Sequence, residues 1–341
     1  MAGSGMSHLR RPEDVLLRAE HVVVEYPVRG AVTRGTRAKV HAVSDVSLDI
    51  KKGETLGLVG ESGCGKSTMG RALLQMPAPT AGAVRYEGVD LTTLPEREVR
   101  RYRRDLQMIF QDPISALNPR QRIDDIVADP LRVWKQGSKS EQERAVADLL
   151  EVVGLDPETS LGRRPHQFSG GQCQRICIAR CLVLEPKLIV CDEPVSALDM
   201  SVQAQILNLL EDLKNRYGLT LLFIAHDLSV VKNISDRVAV MYLGKLCEVG
   251  DPDLVYRTPA HPYTSALLSS IPIPDPRAPS TGTAAQGELP SPIDPPSGCR
   301  FRTRCPRATD LCAEQEPTMT QIGTGDHHVA CHHPLVPASG G

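Results

Sequence analysis

Three short runs in this sequence combine the residue types and spacings that chemistry requires. The first is Gly60-Glu61-Ser62-Gly63-Cys64-Gly65-Lys66-Ser67, with Thr68 following. Glycines at this spacing let backbone N–H groups converge on phosphate oxygens at a helix N-terminus, and the run satisfies the phosphate-binding pattern G-x-x-x-x-G-K-[ST]. In this reading Lys66 reaches the β- and γ-phosphates, Ser67 ligates Mg²⁺, and Thr68 contacts an outer phosphate oxygen. The second run is Leu188-Ile189-Val190-Cys191-Asp192-Glu193. Four apolar residues make a buried strand that delivers two carboxylates at its end. Asp192 then holds Mg²⁺ through water, and Glu193 orients and deprotonates the attacking water. The third run is Phe168-Ser169-Gly170-Gly171-Gln172. There Ser169 and the glycine N–H groups form a second anion cradle at the start of a helix.

These side chains need a scaffold to hold them. Thr55 to Val59 is a short apolar run entering the Gly-rich loop, and Ser67 to Met76 reads as the helix leaving it. Arg18 to Pro27 and Val40 to Ile50 alternate as strands, with a turn at Lys51-Lys52-Gly53-Glu54. Leu188 to Cys191 and Leu219 to Ala225 are apolar on both faces and bounded by helical segments, as buried strands of a mostly parallel sheet are. Glu141 to Val153 and Gln172 to Leu184 have helical character, so about Pro113 to Leu184 is a helix-rich insert between sheet strands. Ile271 to Pro296 is dense in Pro, Gly, Ser and Thr and reads as a linker or wrapping loop.

Composition narrows the class. With 41% hydrophobic and 23% charged residues, the 341-residue chain has the make-up of a globular protein with one large domain or a medium and a small one. A formal charge of −2 and 4% aromatics give neither the basic field nor the stacking platforms of a nucleic-acid binder. No apolar run reaches the roughly 18 residues of a membrane span, and the polar start from Met1 to Glu13 lacks a secretory signal. The chain is therefore expected in the cytoplasm, reaching a membrane through partners.

The hydrophobic-SGGQ run resembles the signature of the ABC ATPase family, and other landmarks of that family follow in order. Gln111, in Ile109-Phe110-Gln111-Asp112-Pro113, matches the Q-loop that senses Mg²⁺ and water. Ser196-Ala197-Leu198-Asp199 matches the D-loop, and His226 after Leu221 to Ala225 matches the switch histidine that hydrogen-bonds the γ-phosphate. Tyr26, 40 residues before Lys66, corresponds to the aromatic that stacks on adenine; its alternative is an ordinary strand-edge tyrosine. The resemblance implies an α/β fold: a P-loop NTPase (RecA-like) core, an antiparallel β subdomain and an α-helical signature subdomain. It spans residues 15–250, with the helical subdomain at about 113–184, and implies an active ATPase that uses ATP and Mg²⁺. In the family Ser169, Gly170, Gly171 and Gln172 bind the γ-phosphate held by the opposite subunit, so two ATP molecules are sandwiched between two chains.

Phe110-Gln111-Asp112-Pro113 running into Ser115-Ala116-Leu117-Asn118-Pro119-Arg120 is similar to the ATPases of bacterial dipeptide/oligopeptide permeases, as are His261-Pro262-Tyr263-Thr264-Ser265-Ala266-Leu267-Leu268 and the segment Gly298 to Pro306. Thr55-Leu56-Gly57-Leu58 and Cys64 favour the F-type subunit. The implied partners are a sister ATPase, two integral membrane permease subunits and an extracellular peptide-binding protein, with this chain peripheral on the cytoplasmic face of the plasma membrane. Nickel and glutathione importers share these features and stand as alternatives. A soluble ABC ATPase of translation or DNA repair is the rival of another class, against which stand the single cassette and the absence of a heptad run.

The cysteines divide into sets. Cys173, Cys177 and Cys181 lie at i, i+4 and i+8 of one helix and read as small packing residues, and Cys191 as strand core. Residues 251–341 form an extension whose Pro-rich tail carries Cys299, Cys305, Cys312 and Cys331 and has too few apolar residues to fold alone. The spacings lack a Zn²⁺ knuckle, and an all-cysteine set with Cys305-Pro306 fits a [4Fe–4S] cluster, with Zn²⁺ or no metal as the alternatives. His327, His328, His332 and His333 could substitute as ligands, the alternative being ordinary tail histidines with no metal role. Changes at Cys299 and Cys305 are expected to leave nucleotide binding intact.

Overall fold

The computed structural model describes residues 6–33, 36–270, 287–323 and 325–336. Two compact units are present, Met1–Leu94 with Ala225–Gly341, and Pro95–Ile224.

The first unit opens with two long antiparallel strands, β1 (Val15–Thr33) and β2 (Thr36–Lys51), in register at Leu17↔Ile50 and Val24↔Val43. They are longer than the alternation at 18–27 and 40–50 predicts, because pairing carries them through polar stretches with several register shifts. β3 (Thr55–Val59) is buried throughout, and α1 (Lys66–Leu73) follows it. β4 (Ala81–Tyr86) and β5 (Val89–Asp90) complete an antiparallel sheet of order β2-β1-β4-β5.

The second unit begins with α2 (Glu96–Tyr102) and β6 (Leu106–Ile109). Four helices come next: α3 (Ile123–Val133), α4 (Lys139–Val152), α5 (Pro157–Ser160) and α6 (Gly170–Leu182). β7 (Leu188–Asp192), α7 (Met200–Tyr217) and β8 (Thr220–Ala225) close the unit. β6, β7 and β8 pair in parallel, and β7 and β8 are buried on both faces, which is why their sequences read as unbroken apolar runs. Ser138 starts α4 with a reciprocal capping box to Glu141, and Gly218 ends α7 in the left-handed conformation.

The chain then returns to the first unit through α8 (Leu228–Ile234), β9 (Arg237–Tyr242) and β10 (Lys245–Gly250). β9 runs parallel to β3, and β10 is antiparallel to β9. Past β10 lie α9 (Pro252–Arg257), α10 (Pro262–Ser269), α11 (Asp310–Glu314), β11 (Thr320–Gln321) and β12 (His327–Val329). The linker expected from Ile271 lies outside the described residues as far as residue 286; residues 287–296 form no helix or strand.

The tail is packed as part of the first unit, because β12 adds to the edge of β10 and Phe301, 2% exposed, sits among aromatic rings. A fully buried carboxylate, Glu248 of β10, anchors the segment. It accepts the N–H groups of Ala260 and His261 at 2.8 Å each, and its Oε1 lies 2.6 Å from His327 Nε2. Burying that carboxylate is tolerated because both of its oxygens have hydrogen-bond partners.

Candidate functional site

The phosphate-binding pattern lies in the first unit, between β3 and α1, where strand leads into loop and loop into helix. Gly65 caps α1 with φ 105°, and a Cβ there would stand 2.1 Å from the Ala42 carbonyl oxygen. A Cβ on Gly60 would stand 2.1 Å from the Met241 carbonyl oxygen, so both positions exclude a side chain. Lys66 is buried, and its ammonium donates to the carbonyls of Gly60 at 2.7 Å and Glu61 at 3.0 Å. The charge is thus desolvated and preorganised by the loop that surrounds it. Ser62 and Gly63 are exposed at the loop tip, and Ser67 and Thr68 are half-buried on the first turn of α1. Burial pushes the Cys64 thiol up, so this residue packs as a neutral group.

The carboxylates, Gln111 and the Ser-Gly-Gly-Gln run all lie in the second unit. Asp192 is the last residue of β7 and is buried; Glu193 follows it with φ 47°. The left-handed conformation is uncommon for a residue bearing a Cβ and clusters at functional sites. Neighbours hold it there. The Glu193 N–H donates to Ile224 O at 2.9 Å, and the Glu193 carbonyl accepts from Ser196 Oγ at 3.0 Å. Gln111, just beyond β6, donates through Nε2 to Glu193 Oε2 at 2.8 Å. A loop amide and a strand-end carboxylate far apart in the chain therefore meet.

Ser169 caps α6. Its hydroxyl accepts the Gln172 N–H at 3.3 Å, while Gln172 Oε1 accepts the Ser169 N–H at 2.9 Å. The first-turn N–H groups of a helix have no intrahelical acceptor and lie at the positive end of its dipole; here Ser169 is exposed, Gly170 half-buried and Gly171 buried. Gly171 must lack a side chain, since a Cβ would stand 2.5 Å from Val202 Cγ1 on α7. Asp199 caps α7, accepting from Val202 N at 3.0 Å and Ser201 Oγ at 2.7 Å, and these bonds hold its carboxyl below the ordinary value.

His226 is exposed directly after β8. Tyr26 is 38% exposed and pairs with Val40 inside β1, which continues to Thr33, so it does not end the strand.

The extension supplies residues that sequence reasoning missed. Tyr263 Oη accepts the Glu61 N–H at 2.8 Å, and Arg304 Nη1 donates to the Glu61 carboxylate at 2.8 and 3.1 Å. The extension therefore touches the loop at Glu61 directly. The signal was present as Tyr263 and Arg304 themselves, but both contacts span more than 200 residues and have no local pattern.

Cys173, Cys177 and Cys181 are buried along α6, with burial raising all three thiols, Cys177 to about 12 and Cys181 to about 11. Burial likewise raises Cys299 and Cys305, and Cys331 to about 11. The Cys331 thiol senses Cys299, Cys305 and Cys312, and the fully buried Cys247 senses Cys299 and Cys331. Yet among the described residues no three His, Cys, Asp or Glu side chains stand close enough to hold a metal, so this arrangement is not a preformed [4Fe–4S] or Zn²⁺ site. Among the described residues no helix is long and apolar enough to cross a membrane.

Comparison with known proteins places these features in a family. Residues 43–196 match the ABC transporter model, and residues 247–312 match the C-terminal region of oligopeptide/dipeptide transporters. The chain is 54% identical to a putative oligopeptide transport ATP-binding protein, YkfD, of Bacillus subtilis, over 87% of this chain and 91% of the relative. It is 55% identical to the oligopeptide transport ATP-binding protein OppF of Escherichia coli, over 85% of this chain and 87% of that one. Among solved structures, the dimeric post-hydrolysis ATP-binding cassette MJ0796 bound to ADP and Pi superimposes with TM-score 0.62 at 29% identity, covering 69% of this chain and 98% of the cassette. The two matched regions and the full-length relatives agree, and the chain belongs to the ABC transporter family, among its oligopeptide transport ATP-binding proteins.

Proposed function

We propose that this chain hydrolyses MgATP to drive import of di- and oligopeptides across the bacterial plasma membrane. The observation that carries this reading is that identity of 54% runs over 87% of the chain, through the cassette and on into the oligopeptide-type C-terminal region. The domains are taken as 15–250 for nucleotide binding, with the helical part at about 113–184, and 251–341 for the extension. The backbone of residues 60–65 and Lys66 bind the phosphates; Ser67 and Asp192 hold Mg²⁺, and Tyr26 stacks on adenine. Glu193 is the general base. Its hydrogen bond from Gln111 supports a role for that glutamine in reporting the docked partner to the hydrolytic carboxylate. His226 contacts the γ-phosphate.

Ser169 through Gln172, with Asp199, act on the nucleotide of a second ATPase chain, so the working unit is a pair. The α6 terminus supports this, since it is capped by an exposed Ser169 and a helix N-terminus favours an anion. The pair is read as a heterodimer with a sister ATPase on the cytoplasmic face, beneath two permease subunits fed by an external binding protein. Glu193→Gln removes the base and keeps the binding groups, so with MgATP the variant is expected to persist as a closed pair with its sister by light scattering, its turnover lowered about 10²–10⁴-fold. Wild-type turnover in that variant contradicts the assignment.

Cys299, Cys305, Cys312 and Cys331 are proposed to take a [4Fe–4S] cluster. The all-thiol donor set supports this; their present spacing does not fit it, and no chemical step depends on it. Anaerobic purification is expected to give brown protein containing iron and acid-labile sulfide, and colourless, iron-free protein overturns the reading.

A further inference from the structure

Glu61 places a carboxylate inside a loop built to receive a polyanion. Uncompensated, that charge opposes nucleotide binding. In this structure it is compensated from the C-terminal extension: Arg304 Nη1 contacts both Glu61 carboxylate oxygens and lies 3.4 Å from Tyr242 Oη. The ion pair is sheltered, with the Arg304 side chain 9% exposed and that of Glu61 27%. The same loop residue is held at two further points. Its N–H donates to Tyr263 Oη at 2.8 Å, and its carbonyl accepts from Lys66 Nζ at 3.0 Å.

The parts that present these groups are themselves fixed. Phe301 packs against Tyr242 and Tyr263, with ring centroids 5.2 and 5.3 Å away. The Arg304 N–H closes a turn on Phe301 O at 2.9 Å, and the Cys299 N–H bonds Cys312 O at 2.8 Å. Arg300 donates to the Leu243 carbonyl, and the Gly244 N–H bonds the Cys64 carbonyl of the phosphate-binding loop at 2.8 Å. A rigid turn of the extension thus reaches the loop directly through Glu61 and indirectly through residues 242–244.

We propose that Arg304 and Tyr263 are positioning residues of the nucleotide site, bracing the phosphate-binding loop through Glu61 so that the C-terminal extension sets the affinity for MgATP. The brace neutralises the loop carboxylate and fixes the peptide plane before Glu61, whose carbonyl in turn places the Lys66 ammonium. The inference rests on Gly60–Thr68 being the nucleotide loop.

The test is calorimetric titration of the purified full chain with MgATP. Arg304→Ala is expected to raise Kd about five- to ten-fold near 50 mM salt and by less near 500 mM, because the freed carboxylate repels the triphosphate through a screened field. Arg304→Lys keeps the charge and is expected to recover most of the affinity. In a Glu61→Gln background the Arg304→Ala change is expected to cost less than about twofold, as interacting neighbours are non-additive. Tyr263→Phe removes a neutral acceptor and raises Kd by a factor that salt leaves unchanged. Should Arg304→Ala not fold, Arg304→Gln carries the same comparisons. A wild-type Kd in Arg304→Ala, or an equal loss at both salts and in both backgrounds, overturns the brace. Lys66→Ala separates the two levels: wild-type affinity there overturns the loop assignment as well, whereas lost binding there with unchanged Arg304→Ala overturns the brace alone.

Discussion

Glu193 occupies a left-handed backbone position that costs a residue with a Cβ roughly 1–2 kcal/mol, and the bonds from Ser196 and to Ile224 are what keep it there. A carboxylate held by its backbone needs no rearrangement to meet Gln111, whose amide it accepts. Titration at another residue reads out the packing of the extension. His261 is buried against Glu248 and Tyr263, and burial lowers its pKa to about 4. Its Nδ1 accepts the Tyr263 N–H at 3.0 Å, which requires the unprotonated nitrogen. The unfolded chain, with a histidine near its ordinary 6.5, binds the extra proton first. Stability is therefore complete above about pH 6.5 and falls as pH drops towards 4, by about 3 kcal/mol in all. His261→Asn, which can still cap α10, is expected to flatten this window in urea titrations of the full chain. An unchanged slope contradicts the buried neutral imidazole.

Elements differ in how visibly the sequence encodes them. β3, β7 and β8 were legible to within a residue because each is apolar on both faces and bounded by turn or helix signals. α4 and α6 were legible as helices, but both start two residues before the expected Glu141 and Gln172, because Ser138 and Ser169 cap them through those side chains. β1 and β2 ran past their alternating cores, since their length is set by mutual pairing. The two-residue β5 and β11 exist only through partner strands. The same dependence explains Gly171, which reads as part of an anion cradle but is also a packing requirement between α6 and α7. Gly171→Ala is expected to destabilise the chain by about 1–3 kcal/mol, because the β-branched Val202 has little freedom to withdraw. Val202→Ala in the same chain is expected to return a large part of that loss in denaturant melts. No recovery contradicts the close approach as its cause.

At the scale of the whole molecule, the proposed catalytic and binding residues could be named from the sequence because their motifs are local: Gly60–Thr68, Ser169–Gln172, Asp192–Glu193. The brace on the loop was not, because Arg304 and Tyr263 act across most of the chain and a single sequence shows no pairing. The extension likewise read as a separable tail because its anchors, Glu248 to His327 and Phe301 on Tyr242, are tertiary. The proposed cargo class rests on the oligopeptide-type C-terminal region at residues 247–312, whereas the proposed hydrolytic chemistry rests on local motifs. Uptake of a labelled oligopeptide by cells lacking this chain tests that account most directly. Deletion is expected to abolish uptake, the wild-type chain to restore it, and Glu193→Gln, assembled at the same level in membranes, to leave it abolished. Uptake at the wild-type rate in the Glu193→Gln cells, or in the deletion itself, contradicts an ATP-driven peptide importer built on this chain.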